Sequence, residues 1–420
     1  MNGKHSTSDV QRPTPAGPGL VGRVIARWLR DVRVWACVPL LLVAGCATTP
    51  PPLPLTGDVF RDAPLAIEKG PARDRVLWQY RLALADLHRG QFEDAKRVLD
   101  AALLTLGGIY GKDANARKAR GYFHAESKKT FIGEPYERVM AYYYRGILYW
   151  RDGELDNARA CFRSAEFEDS DAQSGEYKCD YTLLDYLDGF ATTKLGGDGS
   201  DALRRAEKNA RGAKPPPYDA KVNTLVFLDF GPGPTKYATG EYAQELRFRT
   251  PVSPLQAAQL QLDGQIVNIK PADDLNFQAT TRGGRVMDHV LANKAVFKST
   301  TDTIGDAAIV SGAVLAAGGH RQNNAADEVG AGLLIAGLLS KVVSAATTPE
   351  ADTRMWDGLP QFLALGQFRL APGQHTLNVS FLDVAGVAQP KFTKQITFTV
   401  PEGRDAVVYV SDQSTTPQTQ

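Results

Sequence analysis

The sequence predicts an α+β chain: an N-terminal α-helical solenoid followed by a β-sandwich-like domain with a helical insertion. Three observations lead there. Apolar and small residues recur at helical spacing across residues 66–213. After Lys214-Pro215-Pro216-Pro217 the pattern changes to short strands separated by Gly, Pro and Asp-Gly turns. Between two groups of such strands, at about residues 284–346, apolar Gly/Ala-rich helical composition returns.

The helical part carries a repeat. Ala83, Gly90, Phe92, Ala95, Leu99 and Ala102 match Gly146, Gly153, Leu155, Ala158, Phe162 and Ala165 in spacing. In each copy a small residue is followed by Gly at +7, a large apolar residue at +9, Ala at +12, a large apolar residue at +16 and Ala at +19. This is the tetratricopeptide pattern of a helix pair. Small residues let two antiparallel helices approach, and the glycine makes the turn. The copies lie 63 residues apart (Gly90 to Gly153), against about 34 for one unit, so residues are inserted between them. A weaker third copy is expected in DGFATTKLGGDGSDALRRAEKNA, and Pro135 behind Glu134 marks the start of the second copy.

The β-rich part is expected over residues 218–412. VNTLVFLDFG reads as a buried strand, YAQELRFRT alternates, and Asp263-Gly264 inside AAQLQLDGQIVNIKP is a hairpin signal. FRLAPGQHTLNVSFLDV, KQITFTV and DAVVYVSD supply further strands, together suggesting an immunoglobulin-like sandwich. In the insertion, AAIVSGAVLAAGG and VGAGLLIAGLLSKVV are each below spanning length and are separated by Arg321, Asp327 and Glu328. A helical hairpin packed on the sheet is therefore expected, with membrane contact or an oligomer seam as the alternative. Residues 413–420 are polar and read as a disordered tail.

The N-terminus reads as a secretory signal over residues 1–45. Arg23, Arg27, Arg30 and Arg33 precede an apolar stretch from Val34 to Gly45 that is too short to span a bilayer. Val43-Ala44-Gly45-Cys46 resembles the bacterial lipobox, and the resemblance implies that Cys46 is acylated and becomes the first mature residue. Ala47 stands where many lipoproteins kept in the inner membrane have Asp, and the resemblance implies the outer membrane, with the protein facing the periplasm. Residues 46–65, containing TTPPPLPL, read as a lipidated, proline-rich tether. Of four cysteines, Cys161 and Cys179 remain in an oxidising compartment, where they either form a disulfide or stay separate thiols.

The formal net charge of +1 gives no basic field for nucleic acid. Gly231-Pro232-Gly233-Pro234-Thr235-Lys236 lacks the phosphate-loop pattern, and its prolines remove the N–H groups such a loop uses. His5, His88, His124, His289, His320 and His375 show no zinc-ligand spacing. No enzyme, metal or cofactor is expected. Ala351-Asp352-Thr353-Arg354-Met355-Trp356-Asp357-Gly358-Leu359-Pro360 offers either a ligand trio or a packed Trp with a local ion pair. The expected partner-binding face is the groove lined by the first helix of each pair. Tyr80, Leu84 and His88 line it from the first copy, and Tyr143, Ile147, Trp150 and Arg151 from the second.

The lipobox, GEPYERVMAYYYRGILYW, the helix pair and ADTRMWDGLP together resemble a largely uncharacterised family of bacterial lipoproteins with tetratricopeptide-like repeats. The resemblance implies a non-catalytic, lipid-anchored adaptor in envelope assembly, binding an envelope protein partner near factors that activate peptidoglycan synthesis. An oligomeric secretion or export component, using the apolar hairpin at the membrane, is the competing expectation.

Overall fold

Asp58 starts the first helix, α1 (Val59–Lys69), its carboxylate accepting the Phe60 N–H at 3.0 Å. Asp62, one turn on, accepts from the N–H groups of Thr56 and Gly57 at 2.8 and 2.7 Å. These local carboxylate bonds correct the expected tether over 46–65, whose last third is ordered helix. The computed structural model describes residues 53–110, 130–171, 175–212, 214–281 and 351–420. The expected signal peptide, Cys46 and the insertion at about 284–346 lie outside the described residues. The chain divides into two units, Met1–Pro54 and Leu55–Gln420, and every described helix and strand belongs to the second.

Helices α2 (Arg75–His88) and α3 (Phe92–Tyr110) pair across a turn at Gly90, and α4 (Pro135–Asp152) pairs with α5 (Leu155–Asp169) across Gly153. Both glycines have positive φ, +72° and +83°. A side chain at either would be strained, so the chain reverses there. Phe92, Ala95, Leu99, Ala102, Ala158, Phe162 and Ala165 are all buried, which gives the spaced positions their physical role. The start of α4 is fixed by a capping box: Pro135 opens it, and the Glu134 N–H donates to Glu137 Oε2 at 2.6 Å. A third helix pair comes next, α6 (Thr182–Lys194) and α7 (Ser200–Asn209).

The strands come after the helices. One sheet has the order β10 (Ala406–Ser411), β1 (Thr224–Pro232), β7 (Pro360–Phe368), β6 (Asp273–Asp274). The other runs β11 (Gln418–Thr419), β9 (Lys394–Val400), β8 (Gly373–Leu382), β4 (Ala257–Leu262), β5 (Gln265–Ile269). A ribbon of β2 (Thr235–Thr239) and β3 (Glu245–Arg249), a short helix, α8 (Leu275–Thr281), and 3-10 turns at Ala72–Asp74, Gly175–Tyr177 and Pro390–Phe392 are the other described elements. Strand β1 lies parallel to β10 and antiparallel to β7. Asp263 and Gly264 turn β4 into β5 with φ of +50° and +79°, the backbone a two-residue hairpin requires. The run Leu370 to Gly373 connects β7 to β8, which lie in different sheets.

The first sheet is buried on both faces. Val226, Leu228 and Phe230 of β1 join Leu260, Val379, Phe381 and Ile396 of the second sheet in one core. Leu225 and Phe227, pointing the other way, join Tyr143, Tyr144 and Trp356 in a second core with the helices. The boundary expected at residues 214–217 therefore divides secondary-structure types but not two independent units. The helices and the first sheet share one core, and Leu55–Gln420 forms a single unit. The expected disordered tail is also corrected. Gln418 and Thr419 pair with Ile396 and Thr397, and Gln420 exchanges two hydrogen bonds with the Tyr409 backbone through its amide. Polar composition hides this because the segment is held by hydrogen bonds rather than by apolar burial.

A Cβ added at Gly146 would stand 2.5 Å from the Phe162 ring, whereas one at Gly107 would meet nothing within 4 Å. Gly146→Val should lower the unfolding free energy by about 1–3 kcal/mol through overpacking. Gly107→Ala should leave it unchanged or raise it by up to about 1 kcal/mol. Urea titrations of both variants measure the contrast.

Candidate functional site at the helix–sheet junction

The seven side chains expected in the groove lie on the face that meets the β-rich part, and each has a partner or packing there. Tyr80 stacks on Trp356 with ring centroids 4.4 Å apart. Leu84 packs by Gly358. The His88 ring lies parallel to that of Tyr409 at 6.5 Å, while its carbonyl accepts the Thr415 N–H at 2.9 Å. Tyr143 meets Phe227 edge to face, and Ile147 is buried in the same core. The Trp150 indole N–H donates to Asp405 at 3.0 Å, and Arg151 donates to the Val407 carbonyl at 3.1 Å. The expectation that this face receives another protein is corrected: its occupant is the chain's own sheet. Sequence spacing locates which helix faces are apolar, but an apolar groove is filled equally well from within the chain.

Two polar centres are buried at this junction. In the first, both tyrosine hydroxyls of Tyr144 and Tyr409 donate to Asp229 Oδ2, at 2.7 and 2.5 Å. Asp229 projects from β1 towards the helices, on the face of Leu225 and Phe227. Burial pushes its carboxyl up to about 6, although the hydroxyl bonds favour the charged form. Burial also holds the His88 imidazole down at about 4, so it is neutral at pH 7.

In the second centre Lys236, on β2, forms a fully buried ion pair with Glu137 of α4. Glu137 also accepts the N–H of Glu134 at 2.6 Å and the N–H of Trp356 at 2.6 Å, and Lys236 donates to the Arg354 carbonyl at 2.9 Å. Burial pushes Glu137 up and Lys236 down, and each ion opposes the shift of the other. The segment ADTRMWDGLP thus serves as a clamp. Arg354 pairs with Asp74 ahead of α2 at 2.6 Å and with Asp352 at 2.7 Å, and Arg81 pairs with Asp357. Trp356 lies between Tyr80 and Tyr144. The sequence leaves this trio open between a ligand site and a packed corner; it is packed against the helices. In the sequence Lys236 is only the end of a Gly-Pro loop, because nothing local signals a partner 99 positions away.

Further out, Asp273 accepts the first N–H groups of α6, from Thr182 and Leu183 at 2.9 and 2.8 Å. It supplies from a distant segment the acceptor oxygens that the first N–H groups of a helix lack, while burial pushes its carboxyl up to about 7. Lys194, at the other end of α6, pairs with Asp405 at 2.7 Å. Cys161 and Cys179 are both free. Cys161 is buried, its thiol pushed up to about 12, and the Cys179 thiol donates to the Glu166 carbonyl at 3.3 Å. Among the described residues no group of three or more His, Cys, Asp and Glu side chains could hold a metal ion.

Two expectations test this junction. Lys236→Met should cost about 3–5 kcal/mol by leaving Glu137 buried without its counter-ion, and Glu137→Gln added to it should recover much of the loss. The second concerns pH. The folded chain binds the Asp229 proton more tightly than the unfolded chain does. The ionised carboxylate therefore costs stability above about pH 6, and that cost is relieved as pH falls from about 6 towards 4. Asp229→Asn should remove this slope. Its unfolding free energy relative to the parent should be higher at pH 7.5 than at pH 4 by on the order of 2 kcal/mol. Denaturant titrations at the two pH values read the difference. No family model matches this chain, and no curated protein or solved structure matches it.

Proposed function

We propose that this protein is a lipid-anchored, non-catalytic scaffold of the bacterial envelope. It is held at the outer membrane through Cys46 and faces the periplasm. In this reading the helix pairs are tetratricopeptide-like units and the two facing sheets are a β-sandwich. The equal spacing of Gly90 and Gly153 with the buried positions around them supports the first part. The shared core of Val226, Leu228, Phe230, Leu260, Phe381 and Ile396 supports the second.

The observation that carries the reading is the occupied groove. The face on which a helical repeat would hold a guest is taken up by β1, β10 and the Asp352–Asp357 clamp. The helices therefore act as a platform that fixes the β-module. An envelope protein of the peptidoglycan-synthesis or export machinery would engage surfaces outside the groove. The non-catalytic assignment draws on the same site, where Tyr144 and Tyr409 both donate to one Asp229 oxygen and Lys236 is paired with Glu137 inside the core.

The test is acylation. Cells expressing the full chain are fed an alkyne-tagged fatty acid, and their membranes are separated by density. The parent chain should carry label and sediment with the outer membrane. Cys46→Ala should carry none and appear in the periplasmic fraction. Label retained in Cys46→Ala, or label absent from the parent, refutes the anchor.

A further inference from the structure

The two main sheets have four edges, and three of them are protected. Strands β6 and β11 are two residues long. The β10 edge is closed at Tyr409, whose backbone N–H and carbonyl are both bonded by the Gln420 amide at 2.9 and 2.7 Å. The fourth edge, β5, has none of these devices. Its sequence Gln265-Ile266-Val267-Asn268-Ile269 contains no charge and no proline, the features that normally blunt an edge. Four of its five residues are exposed, Ile266 at 61% and Val267 at 36%.

The hairpin register states which backbone groups face outward. Leu262 pairs with Gln265 across the two-residue turn, Leu260 with Val267 and Ala258 with Ile269. A two-residue hairpin closes on a hydrogen-bonded pair, and such pairs alternate with non-hydrogen-bonded ones. Gln265, Val267 and Ile269 therefore bond to β4, while Ile266 and Asn268 direct their N–H and carbonyl groups away from the sheet. Among the described residues these four outward groups find no partner. Val267 and Ile269 share the core-facing side with the buried Ala258 and Leu260.

We infer that β5 is a self-association edge, on which a second copy of this chain pairs antiparallel about Val267. This register sets Ile266 opposite Asn268 of the partner copy, and Asn268 opposite its Ile266. All four outward groups are then satisfied by one symmetric operation, the isologous arrangement commonest among homodimers. Val267 meets its own counterpart in the closer, non-hydrogen-bonded type of pair. Charge selects the same orientation. Asp263 lies before the strand and Lys270 after it. Antiparallel pairing brings Lys270 of each copy beside the Asp263-Gly264 turn of the other, whereas parallel pairing would set like charges together. The product is one continuous sheet of ten strands, five from each copy.

The experiment uses the full chain in mild detergent, with mass measured by light scattering and cysteine pairing by non-reducing gel. The parent should have the mass of a dimer. Ile266→Pro removes an outward N–H that no described partner uses, so it should keep its melting temperature and helical circular dichroism while its dissociation constant rises at least tenfold. Val267→Cys should form a disulfide-linked dimer on mild oxidation, because a non-hydrogen-bonded pair has the Cα spacing a disulfide needs. Val384→Cys, on an exposed loop, should link no more than the parent. A monomeric parent overturns the inference. So does a folded Ile266→Pro that dimerises as the parent does, or a Val267→Cys that links no faster than Val384→Cys.

Discussion

Strand β1 cannot be left uncovered. Its residues from Thr224 to Gly231 are all buried, and its apolar side chains alternate between two cores. A strand with apolar groups on both faces needs a layer on each side. The second sheet covers Val226, Leu228 and Phe230, and the helices cover Leu225 and Phe227. This constraint produces the three layers and the shared core. It also closes the groove, because the helical face is where the second layer must sit. Asp229 fits the same logic: pointing at the helices, it is tolerable there because Tyr144 and Tyr409 converge on it.

The clamp at residues 352–357 adds direction to a contact that apolar packing alone would leave free to slide. Hydrophobic burial is non-directional. Glu137 is directional: it receives Lys236 from β2, the Trp356 amide from the clamp and the Glu134 amide from its own helix cap. One carboxylate thus ties a helix start, a ribbon and a loop at one point. Such a buried pair does not make the fold more stable than an apolar substitute would. Here it fixes which ribbon and which loop meet α4.

Much of the architecture is legible because it rests on local signals. Gly90, Gly153, Glu134 with Pro135, and Asp263-Gly264 each specify a turn or a cap from their own neighbourhood, and the structure places a turn or cap at every one. The helical groove face is legible for the same reason: Tyr80, Tyr143 and Trp150 keep helical spacing. Its occupant is not, since Phe227, Trp356 and Asp405 are brought there by tertiary topology. The tail escapes sequence reading because Gln418 and Gln420 act as backbone mimics, a role with no hydropathy signature. The helix at Val59 escapes it because Asp58 and Asp62 cap it against a proline-rich background.

The parallel pairing of β1 with β10 bears on how the chain reaches this state. Thr224 lies opposite Ala406, 182 positions later. The helix pairs depend on neighbours close in sequence and can form early, whereas the sheet that covers them needs pairing between distant segments. Before β10 joins, β1 keeps an unpaired backbone edge, and Tyr144, Trp150 and Arg151 lack their contacts with Tyr409, Asp405 and Val407. Truncation before residue 406 would remove β10 and β11 and leave both β1 and β9 with open backbone edges.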